Sequence, residues 1–209
     1  MTVRPGALGA LYEGERARLN ALCETEVPSG MHASPVFGQG PNKPYLVLIG
    51  EAPGAEETKA GRPFVGKAGK QLDELLQLAG IPRGDVFITN AVKYRPVTVS
   101  ERSVRNRTPD KNEIMASLPL LREELLLLRP AYIATLGNVP LFAVLTLCGK
   151  GRGTIGELHG VPMDVTLGAM QATLFPLYHP AGVIYNRSLL PVCEADARAL
   201  GRVCAVNKR

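Results

Sequence analysis

Three polar side chains suited to hydrolytic or ligand-binding chemistry each follow a short apolar run of this sequence. Glu51 offers a carboxylate, Asn90 offers an amide donor and a carbonyl acceptor, and His179 stands before Pro180. The donor and acceptor of an asparagine match the edge of a pyrimidine, and a histidine can donate to a developing oxyanion. Pro180 favours an extended backbone at His179, which fixes the angle of the imidazole. The alternative is that Glu51 and Asn90 are turn residues facing solvent.

The loop that contains Glu51 and the segment after it supply further binding groups. Glycines in the Gly50–Gly54 loop let its backbone approach a ligand closely, and exposed amides in such a turn can hold an oxygen. Phe64, within the segment Arg62–Gly66, is a candidate stacking platform for a base, although this motif taken alone favours a core anchor. The candidate binding residues are Gly50, Ala52, Pro53, Gly54, Phe64, Asn90 and His179.

Basic residues cluster at two places along the chain. Lys67 and Lys70 stand where a helix is predicted to begin, so they and the free amides of its first turn can hold phosphates. Between Lys93 and Lys111 there are six basic residues against two acidic ones. On charge alone, a solvated basic loop explains this second cluster better than a nucleic-acid contact does.

Composition limits the classes of protein to be considered. The 209 residues carry a net charge of +5, which permits a polyanionic partner, and we expect residues 1–209 to form one domain. No apolar run approaches the roughly 20 residues that cross a bilayer, and Met1–Leu22 lacks the apolar core of a secretory signal. We therefore expect a cytoplasmic protein without membrane association. The four cysteines show no C-x-x-C spacing, so we expect neither a metal nor a cofactor.

Short apolar runs alternate with helical patterns along most of the chain. This alternation predicts parallel strands joined by crossover helices, and the apolar strands indicate a sheet covered on both faces. We therefore predict an α/β fold, a three-layer α/β/α sandwich with a central parallel sheet of about four strands. Ligands bind beyond the carboxyl ends of such strands, which is where the three polar residues stand. The predicted strands are Tyr45–Ile49, Val86–Thr89, Ala131–Leu136 and Leu174–Tyr178, and the predicted helices are Gly69–Ala79, Asp110–Leu128, Val139–Leu147 and Glu194–Val203.

Two regions of the middle of the chain carry more specific expectations. Pro96–Pro109 is predicted to be a long polar loop, which inside a domain is usually functional or disordered. Thr108 is the expected N-cap of the helix that follows, with Pro109 at the first helical position. Pro119 lies inside that helix and predicts a kink or a break.

Taken in order, these segments resemble the uracil-DNA glycosylase superfamily, and its family 4 above all. Six motifs in the family's order are a specific signal, whereas any one of them alone is weak. The resemblance extends from about Phe37 to the last helix. The motifs stand here at Gly50–Gly54, Gly61–Gly66, Thr89–Pro96, Asn106–Pro109, Leu136–Gly137 and His179–Pro180.

The resemblance implies a role for each candidate residue. Glu51 is expected to position or activate a water molecule, Phe64 to stack on a flipped uracil, and Asn90 to read its Watson–Crick edge. His179 is expected to donate to uracil O2 as negative charge develops. The segment Ala181–Arg187 is expected to enter the minor groove of DNA. The expected wedge residues are Val183, Ile184 and Tyr185, and the expected DNA contacts also include Lys67, Lys70, Arg105, Arg107 and Arg187.

Two departures from the family's pattern lead to further expectations. Family 4 enzymes usually hold a 4Fe–4S cluster on four cysteines, and the corresponding positions here are Cys23, Glu26, Tyr94 and Ser117. With one thiolate left, we expect no cluster. The loop Val97–Arg105 is longer than the family's usual connection. A related branch that bonds covalently to DNA has a catalytic histidine in such a loop, but this loop has none, so we expect ordinary turnover.

The sequence thus predicts a monomeric enzyme that acts on uracil-containing DNA, single- or double-stranded. It would flip uracil out and hydrolyse the N-glycosidic bond, leaving an abasic site. Two alternatives stay open. One is a non-catalytic protein that binds uracil or abasic sites in DNA, and the other is a glycosylase whose main substrate is another deaminated base, such as hypoxanthine or xanthine.

Overall fold

A five-stranded sheet lies at the centre of the computed structural model, which describes residues 6–23, 31–32 and 34–205. The strands are β1 (Met31–His32), β2 (Leu46–Gly50), β3 (Val86–Asn90), β4 (Arg95–Ser100), β5 (Ser103–Asn106), β6 (Tyr132–Leu136), β7 (Met163–Leu167) and β8 (Met170–Leu177). The α-helices are α1 (Ala7–Cys23), α2 (Ala55–Ala60), α3 (Lys67–Leu78), α4 (Lys111–Leu128), α5 (Asn138–Leu147), α6 (Ile155–Leu158), α7 (Pro180–Tyr185) and α8 (Leu190–Ala205).

The strand order of the central sheet is β3-β2-β6-β8-β7. The first four strands are parallel, which confirms the predicted α/β architecture, and β7 pairs antiparallel to β8 at the edge. The prediction of about four strands omitted β7. Its residues alternate between buried and exposed, so it lacks the continuous buried run that marks β2, β3 and β6.

Alternating side chains of the strands form two apolar layers, one on each face of the sheet. On one face, strand residues such as Val47 and Ile133 pack with α4 and α5. On the other face, Leu46 and Phe175 pack with α3 and α8. This is the three-layer sandwich that the sequence predicts, and it places the carboxyl ends of the parallel strands along one edge.

The segment predicted as a long polar loop contains a β-hairpin instead. Strands β4 and β5 pair in antiparallel register from Val97 opposite Asn106 to Ser100 opposite Ser103. The β-branched residues of this segment favour strand, but polar residues between them hide the alternation. The hairpin joins β1 in a second, three-stranded sheet.

Helix α4 differs from its prediction at two points. Its N-cap is Asp110, not Thr108, since the Asp110 carboxylate accepts a hydrogen bond from the Glu113 amide and Glu113 closes a capping box. The helix also continues unbroken through Pro119. Pro119 is on the exposed face of the helix, where the carbonyl that loses its amide partner can bind water.

The N-terminal helix α1 was not predicted, because its apolar residues do not form a clear stripe. It packs on α4, and its Tyr12 ring also stacks on Phe37, in the segment before β2, with ring centroids 4.3 Å apart. None of the described helices is both long enough and apolar enough to span a membrane.

Candidate active site

The parallel register of the sheet brings the predicted polar residues to one edge. Gly50 at the end of β2 lies opposite Asn90 at the end of β3, so Glu51 begins its loop beside Asn90. The β6 end continues into Gly137, whose backbone amide donates to Leu177 O, the last residue of β8. An added Cβ at Gly137 would lie 3.2 Å from the Cβ of His179, so these two strand ends meet closely.

Gly50 allows two of the predicted binding side chains to converge. A Cβ at this position would lie 2.4 Å from Asn90 Oδ1 and 2.5 Å from the Phe64 ring. Only a residue without a side chain leaves room for both. The Phe64 ring centroid is also 6.1 Å from that of His179, so these three side chains surround one space. Ala52 and Pro53 pack inward beside it, half-buried and buried.

The backbone of Phe64 is held in an unusual conformation by its surroundings. Its φ is +53°, a left-handed value that non-glycine residues adopt rarely. The Phe64 carbonyl accepts a hydrogen bond from Arg83 Nη2 at 3.0 Å, and it lies so close to Gly69 of α3 that a Cβ there would overlap it. Such strain is retained only where neighbouring contacts impose it, and here it aims the aromatic ring at the pocket.

Glu57 ties the two loops of the site together. Its carboxylate accepts hydrogen bonds from the amides of Gly54, Val65 and Gly66, at 3.1, 3.1 and 2.8 Å. These contacts neutralise free amides in both loops and fix the Phe64 segment against the Glu51 segment. Sequence reasoning missed Glu57, although its place three residues after Gly54 fits a capping box.

Asn90 is 2% exposed, yet its side-chain oxygen has no hydrogen-bond partner among the residues that the structure describes. A buried amide oxygen without a partner is costly, so this acceptor, beside Gly50 and the Phe64 ring, is a candidate to accept a hydrogen bond from a ligand. The backbone of Asn90 is well fixed, because its carbonyl accepts a hydrogen bond from Lys93 Nζ at 2.7 Å.

A buried ion pair stands behind Asn90. Lys93 is 1% exposed and Glu124 is fully buried, and Lys93 Nζ lies 2.6 Å from Glu124 Oε2. Thr89 accepts from Lys93 and donates to Glu124, and the Tyr12 hydroxyl donates to Glu124. Burial lowers the pKa of Lys93, while the nearby carboxylate opposes that shift. No local sequence pattern indicates this ion pair, because Lys93 and Glu124 are far apart along the chain.

Glu51 is half-buried at the mouth of the pocket. Burial raises the pKa of Glu51, and a hydrogen bond from the Thr108 side chain acts in the opposite direction by stabilising the carboxylate. Thr108, expected to cap α4, therefore contacts the candidate catalytic carboxylate. Its position in the motif Asn106–Pro109 was the available signal.

His179 is held as a neutral donor. Its Nδ1 accepts a hydrogen bond from the Ala181 amide at 3.1 Å, so the ring proton is on Nε2. Burial lowers the pKa of His179, which also favours the neutral form. His179 is the N-cap of α7, with Pro180 at its first position, and this cap fixes the imidazole at the strand end.

The expected DNA-contacting residues differ in how available they are. Lys67, Lys70, Arg105 and Arg187 are exposed. Arg107 instead forms a two-point ion pair with Glu113, each N–O distance being 2.6 Å, so its guanidinium is already occupied.

The expected wedge segment is the short helix α7, and its three candidates are not equivalent. Tyr185 is 89% exposed and Ile184 is 44% exposed. Val183 is 5% exposed and packs against Leu75, Cys193 and Ala197, so it is a core residue. The wedge hypothesis is therefore restricted to Ile184 and Tyr185.

Two of the four residues that the resemblance places at iron–sulfur positions, Tyr94 and Ser117, lack a thiolate and form other hydrogen bonds. The Tyr94 hydroxyl donates to Glu15 at 3.1 Å, and the Ser117 hydroxyl donates to the Glu113 carbonyl at 2.8 Å. Glu26 and the side chain of Cys23 lie outside the described residues. The described part of the chain contains no group of three or more His, Cys, Asp or Glu residues placed to hold a metal. The other cysteines, Cys148, Cys193 and Cys204, pack in three different apolar clusters.

Comparison with known proteins relates this pocket to one family. The profile of the uracil DNA glycosylase superfamily matches residues 37–200. A type-4 uracil-DNA glycosylase of Pyrobaculum aerophilum is 41% identical over 161 residues, which cover 77% of this chain and 79% of that protein. Type-4 uracil-DNA glycosylases of Sulfurisphaera tokodaii and Saccharolobus solfataricus are 35% and 38% identical, covering 83% and 78% of this chain and 76% and 73% of their own. The chain belongs to the uracil DNA glycosylase superfamily.

Proposed function

We propose that this protein excises uracil from DNA by hydrolysing the bond between the base and the sugar. The observation that carries the proposal is the unpaired, buried Asn90 Oδ1 beside the Phe64 ring. Uracil has an N3–H donor next to its O4 acceptor, and the amide of Asn90 can pair with both. With the Asn90 amide in the orientation that fits uracil, cytosine would place its unprotonated N3 against Oδ1 and its N4 amino group against Nδ2, so neither hydrogen bond forms, which is a basis for rejection.

The surrounding side chains supply the remaining needs of the reaction. The bond between C1′ and uracil N1 breaks with its electron pair leaving on the base, while the sugar becomes oxocarbenium-like. His179 Nε2–H donates to the developing oxyanion at O2, a type of contact whose loss typically costs about 10²- to 10³-fold in rate. The Glu51 carboxylate orients a water molecule that adds to C1′ and accepts its proton.

Extruding the base from the DNA costs a few kcal/mol, and the pocket offsets part of this. Stacking of uracil on Phe64 is worth about 1–3 kcal/mol. The names of the relatives as uracil-DNA glycosylases support uracil in DNA as the substrate.

A single assay tests this proposal. The purified protein is incubated, without added metal, with a labelled oligonucleotide containing one uracil, and abasic sites are then cleaved with alkali. We expect strand cleavage, reduced about 10²-fold or more by Glu51→Gln, Asn90→Ala or His179→Ala. Tight binding without cleavage would instead favour a non-catalytic binder. Faster cleavage of hypoxanthine- or xanthine-containing DNA would favour another deaminated base as the main substrate.

A further inference from the structure

The β4–β5 hairpin adjoins the active site at both of its ends. Thr108, just beyond the hairpin, contacts the Glu51 side chain. Asn106, the last residue of β5, packs against the active-site loop so closely that a Cβ on Gly54 would lie 3.3 Å from its Nδ2. Arg95 Nε donates to Asn106 Oδ1 at 2.7 Å and fixes this amide.

Strand alternation extends this contact outward along one face of the hairpin. Val97 pairs with Asn106, and Val99 pairs with Val104, two residues further along each strand. Cross-strand partners and residues two apart share a face, so the Val99–Val104 pair is on the same face as Asn106. Along β5, Val104 lies about 7 Å beyond Asn106. A continuous row thus leads from the catalytic loop to this apolar pair.

The end of this row is open. Val99 is 65% exposed and Val104 is 52% exposed, although β-branched pairs of this kind normally pack against something. No described residue covers them. Arg102, in the turn beside this pair, is exposed, as is its neighbour Glu101. Arg105 pairs with Thr98 and therefore lies on the opposite face of the hairpin, where it is also exposed.

We propose that this face is a nucleic-acid subsite, on which the sugar and base of the nucleotide next to the flipped uridine pack against Val99 and Val104. The proposal rests on the proposed function for the identity of the central base. An apolar pair with an exposed arginine, Arg102, in the adjoining turn complements a nucleotide, whose base and sugar are apolar on their faces and whose phosphates are anionic.

The topology of the sheet supports this subsite. The hairpin follows β3, at one edge of the sheet, whereas α7 with exposed Tyr185 follows β8. Strands β2 and β6 lie between β3 and β8, so the pocket is flanked by the hairpin on one side and by α7 on the other. A DNA strand whose uridine enters the pocket has a neighbouring nucleotide on each side of that uridine. The hairpin is placed to contact one of these two nucleotides.

Equilibrium binding to three uncleavable oligonucleotides tests the proposal. Each contains 2′-fluoro-deoxyuridine. The first is otherwise intact, the second lacks the base of the 5′ neighbour, and the third lacks the base of the 3′ neighbour. The variant is Val99→Thr/Val104→Thr, which keeps the β-branched shape and removes apolar contact. We expect it to weaken binding to the intact oligonucleotide by about three- to tenfold. For one of the two oligonucleotides that lack a neighbouring base, we expect wild type to bind more weakly than to the intact oligonucleotide by the same factor. The double variant should bind that oligonucleotide as tightly as it binds the intact one.

Val161→Thr is the matched control, since Val161 is 51% exposed and precedes β7 at the opposite edge of the sheet. It should bind all three oligonucleotides as wild type does. Equal affinities of wild type and the double variant for the intact oligonucleotide would overturn the subsite. So would a double variant that loses as much affinity as wild type when either neighbouring base is removed. Either result would leave the hairpin as a surface for a protein partner. The probes are not cleaved, so binding to them is measured independently of catalysis. If the double variant and the removal of a neighbouring base weaken binding independently, while the protein still releases uracil, the subsite alone is refuted. If instead the two changes affect the same contact but the protein releases no uracil, only the proposed reaction is refuted.

Discussion

Glu51 and His179 are the two titratable side chains of the pocket, and burial disfavours charge on both. For His179 the neutral form is the useful one, because Nδ1 already accepts from Ala181 and Nε2–H is left to donate. For Glu51 the charged form is needed to accept a proton from water. The hydrogen bond from Thr108 favours that form, so one exposed hydroxyl maintains the function of the carboxylate.

This difference predicts the acid limb of the pH–rate profile. Burial raises the pKa of Glu51, so protonation of this carboxylate contributes an acid limb, while burial lowers the pKa of His179 and disfavours protonation of the imidazole. Below its pKa the carboxyl is protonated and the single-turnover rate falls tenfold per pH unit. Thr108→Val removes the hydrogen bond that lowers this pKa, so the limb should move to higher pH. A limb that Thr108→Val leaves in place would assign it to another group.

Gly50 gives a second prediction at this scale. In Gly50→Ala the new methyl group would lie 2.4 Å from Asn90 Oδ1 and 2.5 Å from the Phe64 ring, so one or both must move. A displacement of about 1 Å in a catalytic site can cost about 10²-fold in rate, and we expect a loss of that size in uracil release. Gly14→Ala is the control, because its Cβ would meet nothing within 4 Å. Near-normal activity of Gly50→Ala would contradict the convergence of these side chains.

Between elements, the buried pair of Lys93 and Glu124 joins the end of β3 to α4. Removing one partner of a buried ion pair leaves the other charge uncompensated, which typically costs about 3–5 kcal/mol. We therefore expect Lys93→Met to lower the free energy of unfolding by about that amount in denaturant titrations.

The double variant Lys93→Met/Glu124→Leu is the matched comparison. Replacing both partners by apolar side chains is often neutral, so it should recover most of the lost stability. Its uracil release should still be impaired, because Lys93 also holds the Asn90 carbonyl. Full activity in the double variant would show that the ion pair serves stability alone.

An element can be predicted from the sequence when the interactions that form it leave a pattern in neighbouring residues. Strands β2, β3 and β6 were predictable because each is a short, mostly apolar run buried along its whole length, and β8 because its last four residues form such a run. Such runs place their last residues at one edge of the sheet. The hairpin was not, since its pairing satisfies backbone groups while its side chains remain polar or exposed. The contacts of Glu57 with the amides of Val65 and Gly66, and of Lys93 with Glu124, depend on the tertiary fold, which leaves no local pattern.

For the whole molecule, the net charge of +5 is small, so binding to DNA must depend on where the cations lie. Each side chain that neutralises a phosphate contributes about 0.7 to 0.9 to the slope of log affinity against log salt concentration. We expect single alanine substitutions of Lys67, Lys70, Arg105 and Arg187 each to reduce that slope by about this amount, in fluorescence-anisotropy titrations over a salt series. Arg107→Ala should leave the slope unchanged, because Glu113 already binds its guanidinium. A full reduction of the slope in Arg107→Ala would mean that DNA displaces Glu113, and unchanged slopes in the other four would place the DNA path elsewhere.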